Sequence, residues 1–321
     1  MNNKFIKNTQ RENGSVCSVC IATFKRPELL RKLIQSLFDQ KKIDDIILEI
    51  IIVDNDVKKS AKEIAAEFSD TSSITISYYE QPIQNISLTR NMALDKSSGQ
   101  YFAVIDDDET ADNYWIRNLV DTLVKFKADA VFGYVLPVFD PSIAQWKKQR
   151  EIYFLPVGKT GDLPLFFYTT NCLIKADKVN KINLRFDPKY GLTGGEDSVF
   201  FDLLSKYQSK YVVCREAISY EVVPQYRTEL KFICNRYFQK GNNEGRIIND
   251  TEQSKFQKII KLIKSLLGIG YYGLQSFILL PIRKKWIFGL IRLCYYSGQF
   301  LAIFKLKSFT HKTEYDTYGN N

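Results

Sequence analysis

The 321-residue sequence contains one histidine, His311, near its carboxyl end. Ser-His-Asp and Cys-His catalysis need an imidazole beside the nucleophile, and histidine-ligated zinc sites usually need at least two. General bases in the body of the chain must then be carboxylates or, failing those, Lys, Tyr or Cys. Six cysteines in a chain this long do not make a disulfide framework. Cys17 and Cys20 form a C-x-x-C inside the apolar run SVCSVCIATF, where residues three apart on a strand point to opposite faces. No second such pair completes a metal site. Neither G-x-G-x-x-G nor G-x-x-x-x-G-K-[ST] occurs, which counts against dinucleotide oxidoreductases and P-loop NTPases. The amino-terminal MNNKFIKNTQRENGS has no hydrophobic signal region, so the body is expected in the reducing cytoplasm.

What the sequence does have is an ordinary globular composition, with 45% hydrophobic and 25% charged residues, enough for one large domain or two. The net charge of +9 is unevenly spread. Residues 1–230 hold 30 basic and 31 acidic side chains, whereas residues 231–312 hold 15 basic and only 3 acidic ones. A near-neutral body therefore carries a basic rear.

Within the body, apolar runs at Val16–Thr23, Ile46–Val53, Ile74–Tyr79, Tyr101–Ile105 and Ala130–Val135 read as strands. Helical spacing fills the intervals: a stretch opened by Pro27, then Ser60–Phe68, Ser87–Asp95 and Trp115–Phe126. Strands alternating with helices predict an α/β fold with a mostly parallel sheet flanked by helices. Ligands bind such sheets beyond the carboxyl ends of the strands. Thr23, Asp54 and Asp106–Asp108 fall there. Further on, YGLTGGE is a glycine-rich turn leading into a helix over Asp197–Lys206.

The run Asp106-Asp107-Asp108-Glu109 is costly unless solvated, protonated or bound to a cation. Two carboxylates about 4 Å apart repel by roughly 4 kcal/mol at an effective dielectric near 20. An acidic turn capping the next helix and a Mg²⁺ or Mn²⁺ site are both consistent with it. Arg90 lies one turn from Ser87 at a helix start, where a guanidinium and the helix N-terminus together suit a phosphate. Glu196-Asp197 at a helix start either offsets the helix dipole or supplies a catalytic carboxylate.

Taken in order, VCSVCIATFKRPELLRKLIQSL, IIIVDND, QNISLTRNMAL, YFAVIDDDE and GLTGGEDSVFF resemble glycosyltransferase family 2, most of all its bacterial exopolysaccharide and capsule enzymes. The resemblance spans roughly residues 15–205, and VVPQYRTELKFICNRYFQKG is similar to a segment those enzymes carry afterwards. It implies a GT-A (Rossmann-like) fold and inverting transfer from a nucleotide-sugar. Ala22, Thr23, Arg26 and Asp54 would line the nucleotide pocket, with Arg90 and Asn91 near the ribose and diphosphate. Asp106 and Asp108 are the outer positions of the D-x-D motif, with Asp108 the direct ligand of Mn²⁺ or Mg²⁺, Asp106 holding the nucleotide's ribose or a metal-bound water, and Asp107 also at the nucleotide site. Asp197 would take the acceptor's proton, Glu196 being able to exchange roles with it. Thr170 and Asn171 would line the acceptor or donor-sugar site, and Arg236 with Lys240 would clamp the diphosphate. One departure is that the histidine some relatives offer as a further metal ligand is missing.

Composition and the resemblance together predict a disordered tail at 1–14, a catalytic domain at 15–245, a basic apolar helical region at 246–310 and a tail at 311–321. Within the catalytic domain, 15–110 would bind the nucleotide-sugar and 111–245 the acceptor. In the rear, Leu262–Leu280 and Trp286–Phe304 approach the ~20 residues that span a bilayer. Two spans would put Arg283-Lys284-Lys285 outside, against the positive-inside rule. Amphipathic helices on an anionic inner leaflet fit better, the alternative being a helical layer packed on the catalytic core. No recognition motif supports nucleic acid as a partner. The expected activity is transfer of a sugar, from a uridine diphosphate donor, to a glycan or lipid-linked acceptor at the cytoplasmic face of the membrane. A sugar-phosphate nucleotidyltransferase and a degenerate nucleotide-sugar-binding or scaffold protein are the competing readings.

Overall fold

The computed structural model describes residues 14–304 apart from 72–73, 149, 154–157 and 251–254. His311, the tail at 311–321 and residues 1–13 of the expected amino-terminal tail lie outside the described residues. The chain begins with β1 (Ser15–Thr23), α1 (Pro27–Phe38), β2 (Ile46–Asp54), α2 (Lys62–Thr71), β3 (Thr75–Glu80), α3 (Ile86–Lys96) and β4 (Tyr101–Ile105). It continues with β5 (Glu109–Ala111), α4 (Trp115–Phe126), β6 (Ala130–Phe139), α5 (Arg150–Tyr153), β7 (Asn171–Lys175) and α6 (Ala176–Lys181). The last elements are α7 (Glu196–Ser205), β8 (Tyr211–Val223), α8 (Leu230–Asp250), α9 (Lys255–Ile278) and α10 (Arg283–Ile303).

The strands form one sheet in the order β3-β2-β1-β4-β7-β6-β8-β5. β1, β2, β3 and β4 run parallel, as do β6 and β8. β7 is antiparallel to both its neighbours, and β5 is antiparallel to β8. Strands buried on both faces read as unbroken apolar runs, which is why IILEIIIV was recognisable as β2. Alternate residues enter two cores. Cys17, Val19, Ile21, Ile50 and Ile52 meet α1, α2 and α4 on one face. Cys20, Ile51, Val53, Phe102 and Val104 meet α3, α6 and α7 on the other. Cys17 and Cys20 thus separate onto opposite faces as free, buried thiols.

Three differences from expectation have physical causes. β8 and the short β5 were missed. Arg215 and Glu216 break the apolar run of β8 where its register on β6 shifts around Gly133, and β5 is only three residues. Of the aromatic and β-branched stretch Phe166–Ile174, only the part from Asn171 joins the sheet, while Phe167 and Tyr168 pack their rings on Phe132. The boundary after residue 245 falls inside α8, which runs unbroken from Leu230 to Asp250. The halves 15–110 and 111–245 share both cores.

α8, α9 and α10 form a further helical layer in which backbones approach closely. A Cβ on Gly241 would lie 1.8 Å from the Tyr295 carbonyl oxygen, and one on Gly298 would lie 2.0 Å from that of Phe238. Ser265 shares a 2.6 Å hydrogen bond with Gln299, and the Asn249 amide donates to the Ala302 carbonyl at 2.9 Å. Gly298→Val should therefore destabilise the fold by about 3 kcal/mol, since overpacked backbone has no room to yield. Gly270→Ala, whose added Cβ meets nothing within 4 Å, should instead be neutral or slightly stabilising. Thermal unfolding midpoints of the two variants check the contrast.

Candidate active site

β4 ends at Ile105, and the acids that follow project beyond the carboxyl ends of β1 and β4. Three arginines from distant segments meet them. Arg26, at the start of α1, donates to Asp107 at 2.8 Å and lies 3.1 Å from Asp108. Asp107 also accepts from the Thr23 hydroxyl at 2.8 Å. Arg90, in the first turns of α3, bridges Asp106 at 3.3 Å and Glu196 at 2.5 Å. Arg227, in the turn before α8, bridges Glu221 at 2.6 Å and Asp108 at 3.3 Å.

The backbone explains how these groups arrive. The Asn85 side chain caps α3 by accepting from Leu88 N at 3.1 Å, while its amide donates to the Pro188 carbonyl at 2.9 Å. This ties the start of α3 to the loop that precedes α7. Gly194 (φ 79°) and Gly195 (φ 95°) then take left-handed conformations that favour glycine, and the chain enters α7 directly at Glu196-Asp197. Glu196 is buried under Arg90, whereas Asp197 is partly open. Continuing the β4–β7 register, which pairs Ile105 with Asn171, sets Thr170 opposite Asp106.

The site holds more carboxylates than its arginines neutralise. Burial raises Asp106, with Arg90 opposing, and pushes Asp107 up to about 6, with Arg26 opposing. Glu109 is raised well above the usual range, first by burial and then by Asp106. Burial also raises Glu221, with Asp108 adding to the shift and Arg227 opposing it. Asp197 reaches about 7 through burial and the neighbouring Glu196 charge, against Arg90. From α8, Arg236 acts on Glu221, and Lys240 and Asp197 act on one another.

Other expected site residues hold the frame. Asp54 accepts from Asp56 N and Ala61 N, both at 2.9 Å, and from the Tyr78 hydroxyl at 3.0 Å, so its carboxylate organises the turn after β2. Asn91 exchanges hydrogen bonds with the Phe186 backbone at 2.7 and 2.8 Å. Asn171 accepts from the Trp115 indole at 2.8 Å and donates to Ala217 and Ser219. Ala22 lies on β1 beside Thr23. Arg227 and Glu221 were missed, since a lone Arg in VVPQYRTE carries no spacing signal.

All the oxygen donors suit a hard divalent cation, and the surplus of buried carboxylate charge would be relieved by one. Among the described residues no three His, Cys, Asp or Glu side chains are gathered as a metal-binding group. Two aspartates completed by substrate phosphates remain a fitting donor set.

Glycosyl transferase family 2 matches residues 18–182, which contain the strand-end acids and all three of Arg26, Arg90 and Asp54. The chain belongs to that family. The succinoglycan biosynthesis protein ExoM of Rhizobium meliloti (strain 1021) is 32% identical over 229 residues, covering 71% of this chain and 74% of ExoM. A crystal structure of S. aureus TarS 1-349 superposes with a TM-score of 0.51 at 12% identity, covering 92% of each chain, so it shares the GT-A fold. The same fragment in complex with UDP-GlcNAc gives 0.50 at 13% identity, covering 89% of this chain and 91% of TarS 1-349. A complex with UDP also gives 0.50 at 13% identity, covering 91% and 92%. As a family 2 glycosyltransferase, the chain is not a nucleotidyltransferase.

Removing Arg227 would strip Asp108 and Glu221 of their common cation. Arg227→Met should cost about 3 kcal/mol at pH 7, the usual scale for breaking a buried ion pair. At pH 5 the loss should be smaller, because the orphaned Glu221, already raised by burial, takes up a proton. Denaturant unfolding at the two pH values measures the difference.

Proposed function

We propose that the chain is an inverting, metal-dependent sugar transferase of surface-glycan assembly, with Asp197 as its general base. The single observation that carries the base assignment is Arg90. Its guanidinium claims Glu196, leaving Asp197 beside it partly open and poised near neutrality. In that range a carboxylate is a stronger base than an ordinary one yet is still ionised in a useful fraction at pH 7.

In the reaction, the acceptor hydroxyl gives its proton to Asp197 as its oxygen bonds to the anomeric carbon from the face opposite the leaving group. The bond from that carbon to the diphosphate oxygen breaks, and its electron pair leaves with the nucleoside diphosphate. One displacement inverts the centre. Thr23 and Arg26 stand at the nucleotide end beside Ala22, in a pocket shaped by the turn Asp54 holds. Arg26, Arg227, Arg236 and Lys240 provide positive charge for the departing diphosphate. Mn²⁺ or Mg²⁺ held by Asp108 and Asp106 would supply Lewis-acid neutralisation of that charge. UDP and UDP-GlcNAc bound to TarS support a uridine donor, and the likeness to ExoM supports an exopolysaccharide or capsule-type acceptor, lipid-linked or free. The basic rear supports work at the cytoplasmic face of the cell membrane.

Asp197→Asn should lower turnover by about a hundredfold or more while leaving donor affinity nearly unchanged. Near wild-type turnover would remove the base assignment. The wild-type rate should climb as pH rises through about 7, where Asp197 loses its proton, rather than near the ordinary carboxylate range. A UDP-sugar with Mn²⁺ should raise the thermal midpoint more than either alone, and Asp108→Ala should abolish that synergy.

A further inference from the structure

α9 presents an apolar face that the rest of the protein leaves bare. Phe256 is 71% exposed, Leu267 68%, Leu274 61% and Phe277 75%. With Ile263 and Ile278, also exposed, they recur at helical spacing on one side. The opposite side is the packed one. Ser265 is fully buried against Gln299, a Cβ on Gly268 would meet the Tyr296 ring at 2.6 Å, and Lys261 pairs with Glu244 on α8. α9 contains no acidic residue. At about 3.6 residues per turn, the exposed Lys255 and Lys264 fall on the two flanks of the apolar stripe. A bare apolar band this long is a docking surface on a soluble body. A band bordered by lysines, with their stems on the apolar side and their charges outward, is complementary to acyl chains beneath anionic headgroups.

α10 differs. Among the described residues Lys285–Ile303 is the one segment long and apolar enough to cross a membrane. Yet Ile287, Ile291 and Ala302 are buried, and Gly298 lies against the α8 backbone. Drawing α10 into a bilayer would dismantle the layer that holds Arg236 and Lys240 at the cleft.

We propose that α9 is a monotopic membrane helix, lying along an anionic bilayer surface with its apolar stripe in one leaflet, while α10 stays inside the protein as its support. The inference rests on the membrane location proposed above and adds which surface makes the contact.

The test is flotation of the full chain with vesicles of phosphatidylcholine containing phosphatidylglycerol. Wild type should float. Leu267→Glu with Phe277→Glu should cut vesicle-bound protein roughly tenfold or more, because charge enters the centre of the stripe. Val57→Glu with Val124→Glu, at exposed apolar positions of the body, should float like wild type. Lys255→Glu with Lys264→Glu should weaken binding to these vesicles but change little on pure phosphatidylcholine. Because the substituted side chains are exposed, unchanged circular dichroism and thermal midpoints establish that the variants are folded. Undiminished flotation of the stripe variant would overturn the α9 assignment and leave the membrane location standing. If wild type does not float, both fall. A wild-type dimer in light scattering that the stripe variant converts to monomer, with no flotation, would instead give the face to a second copy of the chain.

Discussion

The site depends on too many carboxylates sharing too few cations. Asp106, Asp107, Asp108, Glu196 and Glu221 converge from three parts of the chain, and each touches one of Arg26, Arg90 or Arg227. Each arginine contacts two acids, so each carries charge compensation and also joins segments far apart in sequence. Arg90 joins α3, the end of β4 and the start of α7. Arg227 joins β8 to the acids after β4. The compensation is incomplete, and burial raises most of the acids. That same surplus lifts Asp197 toward neutrality.

The convergence follows from topology. Parallel strands deliver their carboxyl ends to one edge of the sheet, and loops leaving that edge can differ without disturbing the cores. β7 enters antiparallel between β4 and β6. Its first residue, Asn171, therefore pairs with Ile105 at the same edge, directly before the acids. The glycine turn before α7 and the Asn85 cap then bring Glu196, about a hundred residues downstream, under Arg90, with Asp197 beside it.

Much of this was legible in the sequence where burial on both faces forces unbroken apolar runs, as in β1, β2 and β4. The strand-end acids and the glycine turn were legible because few other arrangements use them. Side-chain roles were harder. Asn91, Asn171 and Asp54 are the polar types a binding site would use, yet each satisfies backbone or indole donors and acceptors of the frame. Arg227 left no trace because one arginine in a loop looks like any other. The rear showed its charge but not its packing order, since α9 and α10 are similarly apolar. Gly241 and Gly245, four apart on α8 and pressed against α10, are the feature that separates them.

The two cores run without interruption beneath both halves of the catalytic sheet, with Val19 and Val131 in one and Val53 and Phe132 in the other. A sheet glued on both faces has no hinge between its strands. The span across the carboxyl ends of those strands is therefore a fixed length. The fold works as a caliper: the gap across the sheet is set by strand spacing, and differences in what the site accepts must come from the loops that furnish the jaws.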